Sequence, residues 1–315
     1  MARLADKSSG ILAAVGNTPI VELHKVVSQG SARVFAKLEF ANPTGGMKDR
    51  VAKAMVEAAE ADGSLRPGGT VVEYTGGTTG VSLALVCAAK GYDLKMVFSD
   101  AFSDEKRFAM QAFGAQITDV KSDNKRITEK LIKEMVETAR KISQQPRHWY
   151  CNQLSNRDGT AGYHLLGDEI WDQTGGRIDA FVQAVGTCHS LHGTTEALWR
   201  HDQGVHIVAV EPAESAVLSG RPTGSHMIEG IGIGYIPPLW NPKLVNEIIT
   251  VSTEEAKAMS RRLAREEALF VGTSSGANVV ASLKVAERLG RNAAVVTIMV
   301  DSGLRYLSTD LFRDV

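Results

Sequence analysis

Short β-branched runs alternate with longer helical stretches along most of this sequence, and that alternation limits the fold more than composition does. The first series reads as strand Thr70 to Tyr74, an Ala- and Leu-rich helix ending at Gly91, strand Leu94 to Phe98 and helix Ser103 to Phe113. Strand Gln116 to Val120 and a long helix from about Ile127 to Ser143 continue it. A second series begins after Trp149, with helix Asn156 to Thr174 closed by Gly175 and Gly176, then strands Asp179 to Val185 and Val205 to Val210. Thr253, Glu254 and Glu255 mark a further helix start. Ala293 to Val300 is apolar almost throughout, as a strand covered on both faces requires. Upstream, Arg33 to Phe40 alternates like a half-buried strand. Strands joined by crossover helices form parallel sheets, so two series predict two α/β layers. A chain of 315 residues, 43% of them hydrophobic, is long enough to bury two cores.

Ligands of such folds sit at the carboxyl ends of strands, and four unusual loops are expected there. The first is NPTGGMKDR, Asn42 to Arg50, with Lys48 inside it. A lysine attacks an aldehyde when its amine is partly neutral, which a Gly-rich turn entering a helix arranges by limiting solvent. Beside Asp49 and Arg50, a solvated first helical turn is the commoner fate of such a lysine. The second loop, Thr75-Gly76-Gly77-Thr78-Thr79-Gly80, offers close backbone approach and helix-start amides, for which a carboxylate is the natural guest. Its spacing is not G-x-G-x-x-G, so a dinucleotide is not favoured over tight packing. The third, Gly186-Thr187-Cys188-His189-Ser190, can cradle a phosphate on backbone amides, with Thr187 and Ser190 adding hydroxyl donors. The fourth, Gly272 to Ala277, places Ser274 at a helix mouth, either as a cap or as a hydroxyl facing a ligand.

Other chemistries are disfavoured. A net charge of −1 lacks the long-range attraction that nucleic acid requires. The Lys-rich segment Lys121 to Lys133 contains Asp123 and Glu129 and reads as the wet face of an amphipathic helix. Cys87, Cys151 and Cys188 are too scattered for a disulfide framework, and neither Cys188 with His189 nor Cys151 with His148 makes a convincing zinc site, so no metal is expected. A reducing cytoplasm fits best. The apolar run Ile11 to Val15 is too short for a secretory core and nothing approaches a membrane span, so no membrane partner is expected.

The four loops, in this order, resemble those of the cysteine synthase and cystathionine β-synthase family of fold-type II pyridoxal phosphate enzymes. GNTPIVEL (Gly16 to Leu23), SDEKRFAMQAFGA (Ser103 to Ala115), GIGIGYIP (Gly230 to Pro237) and DSGLRYLST (Asp301 to Thr309) look like family stretches too. The resemblance implies an α/β chain of two three-layer α/β/α domains with mostly parallel sheets, like the tryptophan synthase β-subunit. Residues 1–39 would pack on the large domain and on a dimer partner, 40–155 would form a small mobile domain, and 156–315 the large cofactor-binding domain. Lys48 matches the lysine that carries pyridoxal 5'-phosphate as an imine, and Ser274 the partner of the pyridine nitrogen. Gly186, Thr187, Cys188, His189 and Ser190 match the phosphate loop. Thr75, Gly76, Gly77 and Thr79 match the substrate-carboxylate loop, Thr78 its contact to the cofactor ring, and Gln153 a glutamine that helps hold the carboxylate. A neutral serine at the ring nitrogen makes the ring a moderate electron sink and favours loss of a β leaving group. The implied reaction is β-replacement on an O-activated L-serine, O-acetylserine foremost, with sulfide or a thiol giving L-cysteine or a relative, in a cytoplasmic homodimer.

Departures from the family pattern bear on which reaction is run. Gly76 replaces a serine, which leaves room and removes a donor, and Thr78 replaces an asparagine. Cys188 and His189 stand where two glycines are usual, which strains the loop if those positions need positive φ. The Gln153 segment, NQLSNRDG, lacks the usual proline. Net elimination (cysteine desulfhydrase or serine/threonine deaminase), cystathionine formation, and a non-catalytic regulatory paralogue are the competing expectations.

Overall fold

Ten strands and nine α-helices appear among residues 10–313, which are those the computed structural model describes. The strands are β1 Ile20–Leu23, β2 Arg33–Leu38, β3 Thr70–Tyr74, β4 Asp93–Ser99, β5 Gln116–Val120, β6 His148–Tyr150, β7 Ala180–Ala184, β8 His206–Pro212, β9 Glu247–Val251 and β10 Ala294–Met299. The helices are α1 Lys48–Ala61, α2 Thr78–Lys90, α3 Asp104–Ala112, α4 Glu129–Ser143, α5 Asp158–Ala161, α6 His164–Gln173, α7 His189–His201, α8 Thr253–Glu266 and α9 Thr273–Leu289. One sheet runs β1-β2-β10-β7-β8-β9 and the other β5-β4-β3-β6. Every ladder is parallel except the β1–β2 hairpin. This is the two-sheet, mostly parallel α/β architecture that the alternation implied.

The apolar run near the end of the chain explains the large sheet. All six residues of β10 are buried, because β2 and β7 flank it and helices cover both faces. In the small sheet all five residues of β3 are buried likewise. Burying each Val or Ile of these strands contributes about 1.5–3 kcal/mol. Helix α8 starts from a capping box between Ser252 and Glu255, one residue before the expected Thr253.

Several expectations need correction. The helix drawn from Asn156 to Thr174 is two helices, α5 and α6, interrupted at Gly162 and Tyr163. Here the chain presses on α1, and a Cβ at Gly162 would lie 2.5 Å from the Arg50 carbonyl oxygen. The segment 121–128 is not helical; Asp123 and Arg126 form an isolated bridge, and α4 begins only after Thr128 caps it through the Leu131 amide. Strands β1, β6 and β9, which lie half-buried at sheet edges, were not among the expected strands, and β6 closes the first sheet rather than opening the second series. The fourth loop follows α8 through a single bridge, Val271 to Ser302, and not a strand end. Residues 1–9 of the expected N-terminal segment and 314–315 of the expected large domain lie outside the described residues. Among the described residues, no helix is long and apolar enough to cross a membrane.

Candidate active site

Loops following strands of both sheets line one cleft with a cavity of about 110 Å³. Lys48, Thr75 to Thr79, Gln153, Gly186 and Thr187 line it. Cys188, His189, Ser190 and Ser274 lie buried behind that surface. Three of the four loops thus meet at one cavity, and no residue of the fourth, Gly272 to Ala277, lines it.

Lys48 is not a solvated first turn. It opens α1, is 9% exposed, and its neighbours Asp49 and Arg50 are buried too. Asp49 accepts hydrogen bonds from the Thr44 amide (2.8 Å) and hydroxyl (2.5 Å) and from the Ser82 hydroxyl (2.6 Å), which closes the glycine turn onto α2. Burial pushes the Lys48 amine down to about 8, against the opposing influence of Cys188 and Asp301. A buried amine that is partly neutral near pH 7 and faces a cavity is a nucleophile in waiting.

The carboxylate loop is held by its own threonine. Thr75 Oγ1 accepts from the Gly77 amide (2.8 Å) and the Gly80 amide (3.1 Å), leaving the amides of Gly76, Thr78 and Thr79 for a ligand at the start of α2. Gly77 has φ 120° and must lack a side chain, since a Cβ there would sit 2.2 Å from Lys106 Cδ. Gly77→Ala is therefore expected to raise the Michaelis constant for the amino-acid substrate at least about tenfold, read from initial rates against substrate concentration. The space expected at Gly76 is filled, because the Phe102 ring lies 3.0 Å from where a Cβ would be.

Three contributors escaped the sequence reading. Glu73, wholly buried on β3, accepts the Gln153 amide at 2.8 Å where the β3–β6 ladder ends. Burial pushes its carboxyl up to about 8. Gln153 Nε2 donates to the Tyr74 carbonyl at 2.8 Å, which fixes the orientation of its side chain beside the loop. Lys106 on α3 and Glu229 form an ion pair across the cleft, with the Lys106 ammonium 4.7 Å above the Tyr306 ring. The signal for this pair was in SDEKR and EGIG, but nothing in sequence spacing brings residues 123 apart together.

The phosphate loop shows one strained position. Cys188 adopts φ 76°, the left-handed region, whereas His189 is the first residue of α7 and unstrained. Burial pushes the Cys188 thiol up to about 12. A Cβ at Gly186 would lie 2.4 Å from the Gly230 carbonyl, so the loop can pass this close only as glycine. Ser190 Oγ accepts from Gln183 Nε2 and keeps its own hydrogen to donate. Backbone close approach at Gly186, the Thr187 hydroxyl and the buried Lys48 amine, all lining one cavity, fit a phosphorylated aldehyde cofactor. The described residues contain no group of three or more His, Cys, Asp or Glu able to hold a metal ion.

Comparison with known proteins agrees with that chemistry. The family model described as pyridoxal-phosphate dependent enzyme matches residues 11–301. The chain is 39% identical to a cysteine synthase of Staphylococcus aureus over 300 residues, 95% of each protein. Among solved structures, the cysteine synthase of Entamoeba histolytica superposes with a TM-score of 0.91 at 36% identity, covering 99% of this chain and 94% of that one. An O-acetylserine dependent cystathionine beta-synthase from Helicobacter pylori superposes with a TM-score of 0.90 at 31% identity, covering 99% and 100%.

Proposed function

This chain belongs to the pyridoxal-phosphate dependent enzymes, and from that premise we propose that it replaces the β-substituent of an O-activated L-serine, O-acetylserine first, with sulfide or a thiol. The product is L-cysteine or a related β-substituted alanine. The observation that carries this reading is Lys48, a buried amine in the same cavity as an anion-ready glycine loop. When bound, pyridoxal phosphate supplies an electron sink that acidifies the substrate Cα–H and lets the β-substituent depart.

The residues divide the remaining work. Lys48 Nζ would be the residue that holds the cofactor, and as a free amine it would be the base that takes the Cα proton of the substrate and later returns one. The amides of Gly76, Thr78 and Thr79, with Gln153, hold the substrate carboxylate so that Cα presents its hydrogen to Nζ. Gly186 to Ser190 would hold the phosphate of the cofactor, and Thr78 and Ser274 would serve its ring. Phe102, Ile132 and Leu154 line the cleft and exclude water during the exchange.

The small sheet and its helices, within residues 40–155, form the part that closes over the substrate, while 156–315 form the cofactor-binding domain on which the segment 1–39 packs. The assembly is a homodimer, and the scattering of Cys87, Cys151 and Cys188 as buried free thiols supports a reducing cytoplasm. Incubation with O-acetylserine, with and without sulfide, tests the reaction when products are read by mass spectrometry. Cysteine that depends on sulfide is expected. Pyruvate as the only product in both arms would replace synthesis with elimination.

A further inference from the structure

His189 stands where the phosphate loop of the family has a glycine, and its ring is held at both nitrogens. Nε2 lies 2.6 Å from the Asn156 carbonyl oxygen and Nδ1 lies 2.8 Å from the Thr187 hydroxyl. The carbonyl can only accept, so Nε2 must carry a hydrogen. In a neutral imidazole Nδ1 is then bare and must take the Thr187 hydrogen. Thr187 thus faces the cleft as an acceptor, the wrong polarity for a phosphate dianion. Only when Nδ1 also carries a hydrogen does the bond reverse, freeing the Thr187 hydrogen for the phosphate.

We propose that His189 is a positioning residue that sets the polarity of the Thr187 hydroxyl, and that seating a phosphate dianion in the loop is coupled to uptake of one proton by His189. The proposal rests on the reading of Gly186 to Ser190 as the phosphate loop. The proton comes from solvent and ends on Nδ1; no covalent bond forms or breaks elsewhere. The groups facing the ring are the Asn156 carbonyl, Lys48 from α1, and the Thr187 hydroxyl and His192 from its own segment. Without phosphate, burial holds the imidazole down at about 4; the Asn156 carbonyl opposes this, while Lys48 and His192 add to it. A dianion one hydroxyl away acts in the opposite direction, as opposite charge does on any buried base.

Nitrogen-15 NMR of the histidine rings in the loaded protein at pH 7 tests this, with the His189 signals assigned by their loss in His189→Asn. Should that variant fail to fold, their displacement in Thr187→Val assigns them. With pyridoxal 5'-phosphate both ring nitrogens should carry hydrogen; with pyridoxal, which lacks the phosphate, only Nε2 should. A bare Nδ1 in both samples overturns the proposal, and so does a protonated Nδ1 in both, because phosphate is then not the cause. Phosphorus-31 NMR separates this from the loop assignment. A bound phosphate signal indifferent to Thr187→Val shows that the phosphate sits elsewhere, and both readings fall.

Discussion

Lys48→Ala abolishes the visible absorption that covalently held pyridoxal phosphate gives the purified protein, and lowers turnover with O-acetylserine at least about a thousandfold. The size follows from the number of tasks on one amine. In the proposed reaction Nζ is at once the attachment point, the base and the returning acid, and Lys106, which also lines the cleft, is already paired with Glu229. Absorbance of the purified variant, read beside activity, decides the matter; a retained band would place the cofactor on another residue. The wild-type chain stripped of cofactor gives a second readout. Its amine titrates at about 8 instead of the usual 10.5, so at pH 7 roughly a few hundredfold more of it is neutral than in a free lysine. Only the neutral amine attacks an aldehyde, so the rate of cofactor uptake should be flat above about pH 8.5. Below about 7.5 it should fall roughly tenfold per unit.

The alternation of strands and helices was legible because β3, β5 and β10 are short, β-rich and bounded by glycine or polar turns; the first two match their expected limits to the residue. The glycine loops were legible for the same local reason. What stayed hidden depends on contacts between distant segments. The break in the helix expected from Asn156 to Thr174 exists because Gly162 must clear the Arg50 carbonyl, and the ladder of β6 exists because β3 is already in place beside it. The burial of Asp49 and Arg50 beside Lys48 was invisible for a similar reason, since KDR reads as a charged surface turn until its partners arrive from other elements. His189 shows the opposite case: its identity was plain in the sequence, but its effect on Thr187 comes from a carbonyl 33 residues upstream.

Those partners make Arg50→Ala the largest expected loss of stability, about 3–5 kcal/mol, because it strands a buried carboxylate. Arg50 Nε and one terminal nitrogen donate to the two oxygens of Glu39 at 2.8 and 2.9 Å, while its terminal nitrogens also donate to both oxygens of Glu169 at 2.8 Å. Glu39 is wholly buried, and after the substitution it keeps only the Thr18 hydroxyl and the Asn42 amide as donors. Glu169 keeps Lys37 at 2.7 Å and the Asn17 amide at 2.8 Å. Arg50 lies two residues after Lys48 on α1, so the same guanidinium that ties the turn after β2 to α6 also fixes the helix that presents the amine. Chemical denaturation of the wild type and the variant measures the loss, and a difference under about 1 kcal/mol would contradict the argument. The pH profile adds a sign. Burial would raise the Glu169 carboxyl, but Arg50, then Lys37 and the Asn17 amide, bring it down to about 2. A depressed carboxyl contributes stability that is present above its unfolded value near 4.3 and disappears as the pH falls toward 2. Wild-type stability should therefore decline through that window, and the decline should be shallower in Arg50→Ala, where much of the depression is already gone.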